Sequence, residues 1–251
     1  MLTFSMTYKE MYESLADDGQ KINFFVQKQL PRTIKEFQRG SKFPNCKYYE
    51  YTIPSTHNHY IVYFYVERSY LVNKPVVGCF FYIFDGNKRY VIKGTASPYK
   101  HTDNSEMILL RQLHVFTYHF FQRYNERFLK KNNLTANEIV SIFFARNQNL
   151  VPIEVNDKIN KKTDCYGGNN IAFKIRDGLC FAKYSMQGDF HNNGDNEKDK
   201  VDAERFVYTT FVSSSEMSSL QNEEVRRQNA EVWDMFKKDI PQEGITLSFE
   251  D

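Results

Sequence analysis

Cysteine, tryptophan and net charge are what this chain has little of. Its four cysteines (Cys46, Cys79, Cys165, Cys180) form no CxxC pair among 251 residues. That spacing excludes a zinc ribbon, and the length excludes a disulfide-stapled mini-domain, so idle thiols in a reducing compartment are expected. With 33 basic and 31 acidic residues the formal charge is +2, which excludes a protein that coats nucleic acid by bulk electrostatics. No run approaches the roughly 18 apolar residues of a membrane span, so no membrane partner is expected. Met1-Leu2-Thr3-Phe4-Ser5 lacks the charged start and apolar run of a secretion signal, and the expected location is cytoplasmic. No Gly-rich phosphate loop, Gly-x-Ser-x-Gly elbow or dinucleotide fingerprint occurs, and Gly167-Gly168 follows no strand–helix pattern. Kinase, NTPase and serine-hydrolase chemistry is therefore disfavoured, and no cofactor is expected.

Aromatic rings are abundant instead: 22 Phe and 17 Tyr. Such rings fill cores and, for Tyr, line wet rims; a Tyr-lined groove would also suit base stacking. The ring-rich segments read as strands. Residues 48–53, 60–66, 76–84 and 88–93 are dominated by β-branched and aromatic side chains with turn residues between them. Asp85-Gly86-Asn87 marks a hairpin, because these residues tolerate the positive φ of a tight turn. More strands are expected at 150–155, 171–175, 179–182 and 205–212, with a second hairpin at Asp177-Gly178.

Helical spacing appears elsewhere. Residues 5–40 predict two short helices broken at Asp17-Asp18-Gly19 and at Pro31, the second with a solvated basic side of Lys28, Arg32, Lys35 and Arg39. Asp103 and Glu106 fit a capping box, and Leu109, Leu113, Phe116, Phe120 and Tyr124 then trace a stripe that predicts one helix to about Leu129. Thr135 with Glu138 opens another helix, and Leu220, Val225, Val232, Trp233 and Phe236 mark a last one over 219–238. Gly188–Lys200 predicts a mobile loop, and the tail from Pro241 is expected to be loose. The class is α+β, antiparallel sheet with flanking helices. One domain over 1–251 is expected, with a possible subdivision into 1–100 and 101–251.

Chemistry-bearing residues concentrate in one place. On a helix His119, Arg123 and Arg127 stand at i, i+4 and i+8, a slanted polar row at the edge of the apolar stripe, with Glu126 beside it. Arginine binds phosphate bidentately and keeps its charge; histidine exchanges protons near neutral pH. The pattern suits phosphodiester cleavage, where fixed positive charge stabilises the phosphorane. The competing reading is an exposed ion-pair ladder contributing a few tenths of a kcal/mol.

Over roughly residues 115–215 the sequence resembles the small bacterial toxin RNases of the BrnT type, within the barnase–EndoU–colicin–RelE group. The resemblance rests on His119-Phe120-Phe121-Gln122-Arg123-Tyr124-Asn125-Glu126-Arg127, then Thr135-Ala136-Asn137-Glu138-Ile139, then Lys174-Ile175-Arg176-Asp177-Gly178-Leu179 and Val207-Tyr208-Thr209-Thr210-Phe211-Val212. It implies a metal-independent endoribonuclease of toxin, phage or mobile-element type. His119 would be the general acid or base, Arg123 and Arg127 would hold phosphate, and Thr209 or Thr210 would donate a hydroxyl. RNA and a protein antitoxin would be the partners. The stretch between Asn147 and Asn170 is longer than in that family, its chains are far smaller, and residues 1–100 have no counterpart in it.

Two other readings compete. A non-enzymatic interaction module would present the Tyr/Phe-rich sheet to a protein or nucleic acid. A metal hydrolase would use His57 and His59, completed by His101 or His191 with Asp189, although His-x-His supplies only two of the three or four ligands a metal needs. His114 and His119, five apart, would face different sides of a helix.

Overall fold

The computed structural model describes residues 1–99, 108–160, 170–189 and 200–239. One nine-stranded sheet runs through it, in the order β1-β2-β3-β4-β5-β9-β8-β7-β6. β1 (Asn45–Thr52), β2 (His59–Val66), β3 (Val76–Asp85), β4 (Lys88–Tyr99) and β5 (Ile108–Thr117) form an antiparallel meander. β6 (Val151–Ile153), β7 (Asn170–Ile175), β8 (Gly178–Asp189) and β9 (Lys200–Ser213) form a second. The two are joined along β5 and β9, which run parallel, so the sheet is mixed and not purely antiparallel. A parallel pair needs a crossover; here it consists of α3 (Tyr118–Tyr124), α4 (Ala136–Arg146) and the β6–β8 meander. The sheet ignores a boundary near residue 100, since β5 pairs with β4 on one side and β9 on the other.

Helices lie on both faces. On β2, Ile61, Tyr63 and Tyr65 pack with Phe120, Phe121, Tyr124 and Phe143 of α3 and α4. The alternate residues Tyr60, Val62, Phe64 and Val66 pack with Met11 of α1 (Tyr8–Asp17) and with Ile22 and Phe37 of α2 (Gly19–Arg39). A sheet covered on both faces buries both sides of each strand, and this is where the aromatic rings go. Tyr60, Tyr63, Tyr65, Phe80 and Phe81 are buried and are not presented to a partner from the sheet.

Burial on both faces also explains the main departure from expectation. The predicted helix from Asp103 is, over Ile108–Thr117, the strand β5; Asp103 and Glu106 lie outside the described residues. Leu113 and Val115 join one core while Phe116 joins the other. Such a strand is a continuous apolar run, and its leucines mimic a helical stripe. The helix begins only at Tyr118, where the Thr117 hydroxyl accepts the Phe120 N–H at 3.2 Å.

Pro31 does not break α2. It lies on the exposed side, and the carbonyl its missing N–H leaves free, on exposed Gln27, is open to water. Lys28, Arg32, Lys35 and Arg39 are exposed as expected. The Asp85-Gly86 turn forms with Gly86 at φ +55°. Gly188, Asp189 and Lys200, expected in a loop, belong to β8 and β9; residues 190–199 and the tail from 240 lie outside the described residues. β6 is shorter than its predicted 150–155 span.

α5 (Ser219–Asp239) packs by Val225 against Ile153, Ile159, Ala172 and Leu179. Leu220 is exposed. Buried Gln228 instead clasps the β6 end, accepting the Glu154 N–H at 2.7 Å and donating to its carbonyl at 3.2 Å.

Candidate functional site

α3 is short because its last turn widens. After Tyr124 the chain enters a π-turn, Asn125–Leu129, closed by the Lys130 N–H to the Asn125 carbonyl at 2.6 Å. Lys130 takes the left-handed conformation, φ 52°. The Asn125 side chain fastens the exit, donating to the Lys131 carbonyl at 2.9 Å. Single π-turns in helices are frequent at functional sites, and this one falls inside the predicted polar row.

The row is split as a result. His119 is exposed, and its Nε2 accepts from Arg123 Nε at 3.3 Å. Arg123 also donates through Nη1 to Glu126 Oε2 at 3.0 Å. Arg127 does not continue the line as a regular helix would require. The wider turn swings it to β9, where Nη1 donates to the Phe211 carbonyl and Nε lies 3.9 Å from Glu216.

β9 supplies the two threonines through an irregularity. Ala182 pairs with Tyr208 and Phe181 with Thr210, leaving Thr209 without a partner. The extra residue is a β-bulge, and it shifts the phase of alternation. Tyr208 and Phe211, three apart, therefore both enter the core beneath α3, and Thr209 and Thr210 remain half-buried between them. α3 is tied to β9 on either side of this pair. The Thr117 hydroxyl donates to the Tyr208 carbonyl at 3.2 Å, and Arg127 holds Phe211. The five residues selected from sequence do not meet at one place: Thr210 lies opposite Phe181, which packs with Leu179 and Val225 on the face of the sheet away from α3, and Arg127 is held by Phe211. Only His119 and Arg123 touch one another.

A shallow cavity of about 180 Å³ opens on the adjoining side of α3, lined by Tyr118, Phe121, Gln122, Glu126, Ala136 and Ile139 among others. Glu126 belongs both to this cavity and to the ion pair with Arg123.

Beneath the site lies a polar knot that the sequence reading treated only as a hairpin. Asp177, 3% exposed, accepts from Tyr124 Oη at 2.6 Å, from Arg146 Nε at 3.0 Å and Nη2 at 2.8 Å, and from Asn147 Nδ2 at 3.0 Å. Its own N–H donates to Asn147 Oδ1 at 3.0 Å. Burial, then the Asp177 carboxylate, pushes the Tyr124 hydroxyl well above its usual range. Glu67 receives both Arg146, at 2.9 Å, and Arg176, at 2.9 and 3.1 Å, and the Arg176 bonds hold its carboxyl below the usual value. The knot fixes α3, α4 and the β7–β8 turn relative to one another.

His114 is a second such group. It lies on β5, not on a helix with His119, and is 3% exposed. Its Nε2 meets Thr95 Oγ1 at 2.9 Å and its Nδ1 meets Tyr208 Oη at 2.9 Å. Phe206 stacks on the ring at 5.3 Å. Burial, helped by the Lys93 charge, lowers its pKa to about 3.

Among the described residues His57 and His59 find no third ligand. His59 bonds Thr52 at 2.8 Å and lies 3.5 Å from Glu50. Among the described residues no three His, Cys, Asp or Glu side chains come together in a metal-binding arrangement, and His101 and His191 lie outside them. Cys46, Cys79 and Cys180 are free thiols. Burial pushes Cys46 up to about 12 and Cys79 up to about 11, which suits inert sulfur. No helix of the described residues is long and apolar enough to cross a membrane.

Comparison with known protein families, curated proteins and solved structures found no match.

Proposed function

We propose that the chain is a metal-independent endoribonuclease-like protein that acts on RNA in the cytoplasm, with the His119–Arg123 pair as its reactive centre. The observation that carries this reading is the meeting of an imidazole and a guanidinium at 3.3 Å on the exposed side of α3. The order of α3, α4 and β6–β9 also follows the order of motifs in the toxin RNases that the sequence resembles.

The chemistry follows from the donors. With Arg123 donating to it, His119 Nε2 presents its lone pair and so acts as a base. It removes the proton of a ribose 2′-hydroxyl. That oxygen attacks the adjacent phosphorus, the bond to the 5′-oxygen breaks, and the leaving oxygen takes a proton from the imidazolium or from water. Arg123 turns from Nε2 to the phosphate and offsets the charge of the phosphorane. Arg127, held by Phe211 and Glu216, positions α3 against β9.

The test is cleavage of a mixed RNA pool in EDTA by the wild-type chain, His119→Ala and Arg123→Ala. Wild-type should cleave, and each variant should lose on the order of 10²–10⁴-fold in rate. No cleavage by wild-type overturns the nuclease reading in favour of the non-enzymatic interaction module.

A further inference from the structure

α2 gives one face to the core and turns a second, charged face outward. On the inner face Ile22, Thr33 and Phe37 are buried, Phe25 stacks on Tyr51 at 4.3 Å, and the Thr33 hydroxyl meets Tyr49 Oη at 3.0 Å. On the outer face Phe24, Lys28, Arg32, Lys35 and Arg39 stand at i, i+4, i+8, i+11 and i+15. At helical pitch they fall within about 80° of arc and along about 22 Å of axis. All five are exposed, Phe24 by 74%. α2 holds five basic residues against one acidic, a net charge of +4 on a chain whose total is +2. The positive field is therefore gathered on this helix, and the remainder of the chain is net acidic. Little of the stripe is neutralised. Glu36, its one carboxylate, is shared by Arg32 at 3.1 Å and Lys47 at 4.0 Å. Lys28, Lys35 and Arg39 have no acidic partner among the described residues.

We propose that this stripe is a docking surface for single-stranded RNA, its four cations following the phosphate backbone and Phe24 stacking a base at one end. The choice of RNA rests on the RNA-directed reading above. A row of cations beside an exposed ring is how proteins hold a single strand without reading its sequence. Arg32 and Arg39 present forked donors to phosphate, and Lys28 and Lys35 place point charges between and before them. An anionic lipid surface fits less well. A helix lying in a membrane interface buries a broad apolar face there, and the apolar face of α2 is already packed on the sheet, which leaves Phe24 alone. α2 and α3 cover opposite faces of the sheet. A strand held by the stripe is thus bound apart from the His119–Arg123 pair, and the two sites can fail separately.

The experiment is fluorescence anisotropy of the full chain with a labelled, 2′-O-methylated oligouridine, which attack by a 2′-hydroxyl cannot cleave. Three to four phosphate contacts on a single strand predict a slope of log K against log salt of about −2 to −3, so affinity should fall about twenty- to fiftyfold between about 50 and 200 mM salt. Changing Lys28, Arg32, Lys35 and Arg39 together to Gln should abolish binding and flatten the slope, with the unfolding midpoint unchanged. Phe24→Ala should weaken binding roughly tenfold and leave the slope alone. A control with exposed Lys9, Lys88 and Lys183 changed to Gln should bind like wild-type, as should His119→Ala. No binding by wild-type, binding unmoved by the four-residue variant, or equal loss in the lysine control overturns the proposal. So does capture by phosphatidylserine vesicles through the same four residues without binding of the oligomer. Binding without cleavage of an RNA pool would keep the stripe and remove the nuclease; cleavage without binding at α2 would do the reverse.

Discussion

Acidification should unfold this protein through His114, which carries no catalytic duty. In the folded chain the imidazole is buried and its pKa is lowered to about 3 by desolvation and by the neighbouring Lys93 charge. In the unfolded chain it titrates near 6.5. Between those values the unfolded state binds a proton that the folded state does not, so stability is present above about pH 6.5 and is lost as pH falls toward 3. The slope for one proton is about 1.4 kcal/mol per pH unit. Going from pH 6.5 to 4.5 should therefore cost about 2.5 kcal/mol, a sizeable share of the 5–15 kcal/mol typical of a domain. The assay is urea unfolding by circular dichroism at half-unit intervals over that range, for wild-type and His114→Gln. The variant removes the titrating group, while carboxylates contribute equally to both curves. Its line should be flatter by about one proton, and the His114 ring resonances should not titrate above pH 4. Parallel stability curves for the two proteins would refute the argument.

Asp177→Ala should lower stability by about 3–5 kcal/mol, because it leaves Arg146, Tyr124 and Asn147 facing a buried gap with no carboxylate. The unfolding midpoint should drop by roughly 6–20 °C, whereas Arg123→Ala, in an exposed pair, should cost under about 1 kcal/mol. A drop for Asp177→Ala no larger than for Arg123→Ala would contradict the role given to the knot. Gly178→Ala should also destabilise, because a Cβ there runs into the Val212 carbonyl oxygen on β9. Full retention of the wild-type midpoint would show that the β7–β8 turn yields more easily than its packing suggests.

Local chemistry was legible wherever the local signal was strong. The capping box at Thr135 and Glu138 forms as the residues predict, with the Thr135 hydroxyl and the Glu138 carboxylate satisfying each other's backbone N–H. Both Asp-Gly hairpins form. The helix carrying His119 was placed correctly but extended too far at its start. A strand buried on both faces and a buried helix share the same apolar runs, and only the neighbours β4 and β9 decide between them. Asp177 read as a turn residue because its partners Tyr124, Arg146 and Asn147 come from 30 to 53 residues away, a separation that no local spacing encodes.

By itself the sequence determined the α+β class, most element positions, the inward destination of the aromatic rings and the clustering of His119 with Arg123 one turn apart. These depend on propensity, capping and contacts within a few residues. Tertiary structure decided the parallel junction of β5 with β9, the burial of His114, the diversion of Arg127 to Phe211 and the bulge at Thr209 that sets both Tyr208 and Phe211 beneath α3. Each depends on which distant strand or turn supplies the partner for a backbone or charged group that cannot be buried unpaired, and that partner exists only once the two meanders have joined.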